Sequence, residues 1–231
     1  MSPIPSGTVR AAAPDALGRR LLMPQVRRYQ KEWPAVRFEI SYSDTASRLI
    51  KDGFDLAVRV GVTSPDTSLI SRTLMTDRPV PSASTAYLYD RGAPANIDQL
   101  STPDLLIFSS VGMHQSWSLQ DPSGFWSNAP GQVRLRLDSA EGLRKAALAG
   151  MGIAFLPGIL VKDDLTAGSL MQVVPVVECG EVPIVALYPH RRFLEARMRR
   201  AGVLPATELA TYLLFFQNIS RDRVQIISSS S

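Results

Sequence analysis

Between Phe38 and Gly61 the pattern of hydrophobic and polar positions changes period twice, and each part predicts a different element. Phe38, Ile40 and Tyr42 alternate with Glu39 and Ser41, the period-two pattern of a strand with one buried face. Ser43, Asp44 and Thr45 are residues that cap helix starts. Ala46, Leu49, Ile50 and Phe54 follow at helical three-and-four spacing, and Gly53 closes the element. Leu56 to Val60 is a nearly unbroken apolar run of strand length, which suits a parallel strand covered on both faces. Together these predict a β-α-β unit. Ligands of such units settle at the carboxyl ends of strands, beside helix starts whose N–H groups attract anions, so the Ser43 to Thr45 corner is a candidate site.

Upstream, Thr8 to Ala13 predicts a strand with Val9, Ala11 and Ala13 on one face, ended by Pro14. A helix is expected from Asp15 to Glu32 with Leu17, Leu21, Leu22, Val26 and Tyr29 inward. Pro24 should break or kink it, and Trp33-Pro34 marks its exit. The resulting β-α-β-α-β series, with right-handed crossovers, predicts a parallel sheet with helices on its faces. Pro65, Pro79 and Pro81 disfavour helix between Val62 and Pro81, where a strand-bearing crossing into a second lobe is expected. Ser82 to Tyr89 reads as a corner, Leu105 to Phe108 as a short buried strand, and Val111 to Gln132 as a loop with a hairpin around Asp121 to Gly124.

Val133 to Leu137 restores strand pattern, and Asp138 and Glu141 stand three apart as in a capping box before a helix carrying Leu143, Ala146 and Ala147. Ile153 to Leu156 is a strand, and the segment opened by Pro157 reaches Gly168, which fits a helix C-terminus. Leu170 to Val177 and Val182 to Tyr188 read as strands and Arg191 to Arg200 as a helix, with the last strand and helix rejoining the first lobe. Two crossings between lobes predict a cleft that grips a small molecule.

At 231 residues and 45% hydrophobic, the chain can bury a full core as one large domain or two lobes. No run approaches membrane-span length and the first residues lack signal-peptide order, so a cytoplasmic location is expected. One cysteine, Cys179, excludes an internal disulfide, and with two histidines it makes no convincing zinc set; no metal or cofactor is expected. Much of the formal +4 charge comes from Arg191, Arg192, Arg197, Arg199 and Arg200. These form either a solvated helix face or a stripe with salt-sensitive, nonspecific affinity for DNA. The chain carries no helix-turn-helix, finger or basic-zipper pattern. It also lacks a G-x-S-x-G motif, a metal triad and a phosphate loop, so binding rather than catalysis is expected, and the chain reads as no enzyme.

Several segments in order resemble the effector-binding domain of LysR-type transcriptional regulators: GTVRAAAPDALGRRLLMPQV from Gly7 to Val26, DLAVRVG from Asp55 to Gly61, SASTAYLYDRGAP from Ser82 to Pro94, AALAGMGIAFLPGILVKDDLTAGSLMQVVP from Ala146 to Pro175, and VPIVALYPHRRFLEARMR from Val182 to Arg199. Thr85 stands where the family usually has proline. The family's winged helix-turn-helix and linker helix do not precede this region. The stretch after Arg200 departs from the family, with an apolar clump at Tyr212 to Phe216 and a serine tail expected to be disordered.

The resemblance implies an α/β fold of two Rossmann-like lobes joined by two crossing strands, of the periplasmic-binding-protein type II kind. It places one lobe at residues 7–77 with 179–204, the other at 78–178, and an atypical segment at 205–231. It implies a domain that senses a small-molecule effector, such as a carboxylate or aromatic acid, in the interlobe cleft and alters lobe or dimer geometry. DNA would be reached only through the absent N-terminal domain, and no membrane contact is implied. A homodimer or higher oligomer is expected, with the Asp15 to Glu32 helix contributing. The alternative is a free-standing solute-binding protein of a transporter.

Carried onto matching positions, the effector contacts are Pro14, Asp15, Ala16, Ser43, Asp44 and Gly61 in the first lobe, and Ser84, Asp138, Ser139, Gly152 and Phe155 in the second. Ser43, Asp44, Asp138 and Ser139 are equally readable as helix caps, and Ser84 as a turn residue. Asp15, Asp44 and Asp138 would oppose an anion. Arg59 either pairs with an acid or meets an anion. Trp117, Phe125 and Trp126 either wall a pocket or close a loop over the core. Cys179 reads as a redox sensor or an inert thiol, and His114 and His190 as surface or turn residues.

Overall fold

The computed structural model describes residues 6–42, 52–61, 68–109, 117–177 and 179–189. The chain divides into two units, Met1–Thr76 with Pro183–Ser231 and Asp77–Val182. The proposed helix around Ser43 to Gly53, the helix at Arg191 to Arg200, the stretch 205–231, His114 and His190 lie wholly or mostly outside the described residues.

In unit 1, strand β1 (Gly7–Ala13) pairs in parallel with β2 (Val36–Tyr42) in continuous register, Gly7 to Val36 through Ala13 to Tyr42, and in parallel with β3 (Leu56–Val60). Ala11, Ala12 and Ala13 are buried, as a central strand covered on both faces requires. β2 is the sheet edge, which leaves Phe38 and Ile40 only half-buried. Tyr29 meets the Phe38 ring edge-on, with centroids 6.0 Å apart.

The segment from Asp15 to Glu32 stays helical as α1 (Asp15–Leu17), a π-helical turn (Gly18–Leu22) and α2 (Met23–Glu32). Pro24 therefore neither breaks nor ends it. Proline has no N–H and its ring crowds the carbonyl four residues back; here the turn before it widens, and Met23 N–H reaches Gly18 O five residues away. Leu17, Leu22, Val26 and Tyr29 are buried as the periodicity predicts, while the widened turn leaves Leu21 half-buried.

The sheets are mixed, not parallel throughout. In unit 1, β12 (Val182–Pro189) lies antiparallel to β3, with Ile184 opposite Val60, and the order is β2-β1-β3-β12-β4, where β4 is Leu69–Asp77. Unit 2 has the order β11-β5-β10-β6-β9, from β5 (Val80–Ser84), β6 (Asp104–Phe108), β9 (Gln132–Leu137), β10 (Ile153–Leu156) and β11 (Leu170–Gln172). β10, β6 and β9 run parallel; β5 opposes β10 and β11 opposes β5. The expected hairpin is present as β7 (Ser118–Gln120) and β8 (Trp126–Asn128), with Asp121 accepting from the Ser123 and Phe125 amides at the turn.

Unit 2 also departs from the sequence reading at three places. The corner at Ser82 to Tyr89 is the end of β5 followed by α3 (Thr85–Arg91). β11 ends at Gln172, well before Val177, because Pro175 interrupts the ladder; Val173 and Val174 turn inward as buried core residues. The helix α4 (Ala140–Leu148) is capped by Ser139, whose Oγ accepts from Gly142 N–H at 3.1 Å, so Asp138 and Glu141 form no capping box. Three residues on from the true cap stands Gly142, which has no side chain to return the bond.

Trp117 and Leu119 of the hairpin region join Leu105, Ile107, Ile153 and Tyr87 in one buried cluster. α4 buries Leu143, Ala146 and Ala147, and α5 (Gly158–Ala167) buries Leu160 and Val161 before ending at Gly168 in the left-handed region, φ 72°. Arg144 of α4 grips Asp164 of α5 with two bonds of 2.5 and 2.6 Å. Such a bidentate pair fixes orientation as well as distance.

Candidate functional site

In unit 1 the corner after β1 is the best defined. Pro14 precedes the helix in extended geometry, its carbonyl accepting from Gly18 N–H at 2.7 Å, and no side chain caps the helix start. Asp15 enters the first turn, where its charge suits the helix dipole, and Ala16 is buried beneath it. Arg19 Nε donates to Asp15 Oδ1 at 2.6 Å, so the carboxylate that would oppose an anion is partly offset by a cation one turn on. The Arg19 guanidinium also lies over the Tyr42 ring, 5.5 Å from its centroid. Gly18 makes this approach possible, because a Cβ there would collide with the Tyr42 ring. Sequence reading missed Arg19 and Tyr42 as parts of this corner; the signal for Arg19 was its four-residue spacing from Asp15.

Gly61 closes β3 with φ +85°, a conformation glycine adopts without strain, and its N–H donates to Pro183 O at 2.8 Å. Parallel pairing of β1 with β2 and β3 puts Pro14, Gly61 and the end of β2 at the carboxyl end of this sheet, where β12 begins. Ser43 and Asp44, which follow Tyr42, lie outside the described residues. Arg59 is half-buried and donates to the Val58 carbonyl at 2.8 Å.

Unit 2 divides its candidates between two ends of one sheet. Ser84 ends β5, which runs antiparallel to β10, so it lies at the end where β10 begins, together with Gly152. A Cβ on Gly150 would stand 3.5 Å from Ser84 Oγ. Asp138 and Ser139 follow β9, which runs parallel to β6 and so reaches the opposite end. A five-residue strand spans about 13 Å, so the two groups do not converge. Ser84 is only 4% exposed and its Oγ accepts from Tyr87 N–H at 3.3 Å, a cap for α3. Gly152 is required by packing, since a Cβ there would strike the Asp104 carbonyl. Asp138 is exposed. Phe155 is half-buried against Trp117, with centroids 5.7 Å apart. Phe125 and Trp126 are exposed on the hairpin, whereas Trp117 is core.

The end of this sheet holding Ser139 also holds the start of α5. Pro157 has no side chain able to cap that helix, and the oxygen comes from Asp77, whose Oδ1 accepts from Ile159 N–H at 3.0 Å. Burial pushes the Asp77 carboxyl above its ordinary range, with the Ile159, Gly158 and Arg78 amides pulling the other way. Burial likewise raises the Cys179 thiol to about 11, which keeps it protonated and unreactive near neutrality. Among the described residues no helix is long and apolar enough to cross a membrane, and no group of three or more His, Cys, Asp and Glu is placed to hold a metal.

Residues 4–201 match the family model described as the LysR substrate binding domain. The uncharacterized HTH-type transcriptional regulator YhjC of Escherichia coli is 30% identical over 84% of this chain, and the HTH-type transcriptional activator AaeR of the same species is 28% identical over 84%. The chain spans 64% and 62% of those two proteins, somewhat under two thirds of their length. The full-length Vibrio cholerae virulence activator AphB superposes with TM-score 0.71 at 27% identity, covering 81% of this chain and 63% of that one. The regulatory domain of CrgA from Neisseria meningitidis shares the fold alone, with TM-score 0.77 at 23% identity over 94% of this chain and 99% of that one. The two mixed sheets with their helices are the α/β architecture of these regulatory domains, the type II periplasmic-binding-like fold. The family consists of transcriptional regulators, not enzymes, and this chain belongs to the LysR substrate-binding domain family.

Proposed function

We propose that this chain is the effector-sensing part of a bacterial LysR-type transcriptional regulator. It would act in the cytoplasm as a homodimer and reach DNA through a domain outside this sequence. The observation that carries the reading is the continuous family match over residues 4–201 on a chain of two α/β units. The effector is a small molecule bound at strand-end corners; the candidate contacts in unit 1 are Pro14, Asp15, Ala16, Ser43, Asp44 and Gly61, and those in unit 2, taken by itself, are Asp138, Ser139 and Phe155. Ser84 and Gly152, set at the other end of their sheet, support the fold of unit 2 and do not touch the effector. Regulation is by binding, with no bond made or broken.

A carboxylate or aromatic acid suits this chemistry. The uncapped helix start at Pro14 and Asp15 presents N–H donors, Arg19 lies one turn on, and Tyr42 and Phe155 offer ring surface. A thermal-shift screen of small aliphatic and aromatic acids tests the reading. Binding to the folded state alone adds about 2.7 kcal/mol at a hundredfold excess over Kd, an upward shift easily read. Ala16→Arg should abolish the shift and Ser84→Ala should leave it.

A further inference from the structure

The chain enters unit 2 at Asp77, and the residues at that point are tied to the start of α5 in two ways and to the departing segment in a third. Asp77 Oδ1 accepts from Ile159 N–H at 3.0 Å, supplying the cap that Pro157 cannot. Gly158 leaves room for the entering strand: a Cβ there would stand 2.5 Å from the Arg78 carbonyl and 3.3 Å from Asp77 Oδ1. Arg78 then donates through Nε and Nη2 to Glu181 Oε1, at 3.1 and 2.9 Å, and so links the entering strand to the segment that leaves the unit at Val182. The Arg78–Glu181 pair is exposed on both sides, where solvent screening leaves it weak. The bond to a half-buried carboxylate and the close backbone contact therefore dominate.

We propose that Asp77 and Gly158 form a socket that makes residues 77–81 a rigid part of unit 2. Asp77 is a positioning residue: it fixes where the strand turns, not what the effector touches. The socket lies within unit 2 and stands apart from the effector-sensing reading.

The test uses amide hydrogen exchange on the full chain without any effector, so its outcome is independent of whether an effector is found. In Asp77→Ala, exchange at Gly158 and Ile159 should rise roughly tenfold, and exchange at Arg78 and Val80 should rise with it, while the α4 amides stay unchanged. Gly158→Ala should loosen Arg78 and Val80 with Asp77 still present. Asp77→Asn, which keeps a carbonyl acceptor, should restore most of the protection. If Asp77→Ala speeds exchange only at Gly158 and Ile159, Asp77 is a helix cap and the socket is wrong. If α4 loosens equally, the residue is a general stability determinant and the proposal also fails.

Discussion

Among the described residues of unit 2, the starts of the three α-helices α3, α4 and α5 are met by side-chain oxygens of the same unit: Ser84, Ser139 and Asp77. In unit 1, the helix that begins at Asp15 has Pro14 before it and no side-chain cap. Backbone N–H groups at a helix start must find a partner in the chain, in water or in a ligand. Unit 2 has largely spent its donors on its own architecture, whereas the Pro14 corner keeps them for something else. The ion pairs differ in burial rather than by unit, since Arg78–Glu181 in unit 2 is exposed. Arg144 and Asp164 are largely buried and bidentate, while Arg10 and Glu39 in unit 1 form an exposed pair. The Pro14 corner thus differs from the starts of α3, α4 and α5 in having no side-chain oxygen to meet it.

The largest effect should come from breaking the buried pair. Asp164→Ala removes the bidentate partner that now holds the Arg144 guanidinium above its ordinary pKa, leaves Arg144 only its bond to Glu141 at 2.9 Å, and should cost about 2 kcal/mol by urea denaturation. Glu39→Ala should cost under about 1 kcal/mol. Equal losses would erase the contrast between buried and exposed pairs. Next come the caps: Ser84→Ala and Ser139→Ala should each cost about 1 kcal/mol, and Pro14→Ala well under half of that, since Pro14 contributes no capping oxygen.

A pH effect in unit 2 stands apart from these, because it shows only in alkaline solution. The Cys179 thiol is raised to about 11 in the folded chain, so its contribution to stability is present below its ordinary pKa and lost as pH rises through about 11. The urea midpoint should fall across that alkaline window in the parent chain and fall less in Cys179→Ala. Alkylation by iodoacetamide at pH 8 should be slow in the folded chain and fast after denaturation. Fast labelling of the folded chain would show a reactive thiol instead.

Much of this was legible in the sequence because local pattern decides it. Alternation and apolar runs located β1, β2, β3 and β10, and the Asp121 to Gly124 turn signal located the hairpin. What was not legible depends on partners far apart in the chain. Nothing near Pro157 names Asp77 as its cap, although a proline at that position already says that the oxygen must come from elsewhere. Ser84 was carried over as an effector contact from the family resemblance alone; the antiparallel direction of β5 puts it at the end of its sheet opposite to Asp138 and Ser139. At α4 the local signal was simply ambiguous by one residue, and Ser139 won over Asp138 as the cap.

The most direct test of the central claim is calorimetric titration of the best acid from the thermal-shift screen into the parent chain, Ala16→Arg and Ser84→Ala. Saturable one-site binding to the parent and to Ser84→Ala, with none to Ala16→Arg, is the expected result. Binding that survives Ala16→Arg but is lost in Ser84→Ala would place the effector at the wrong end of unit 2 and contradict the account.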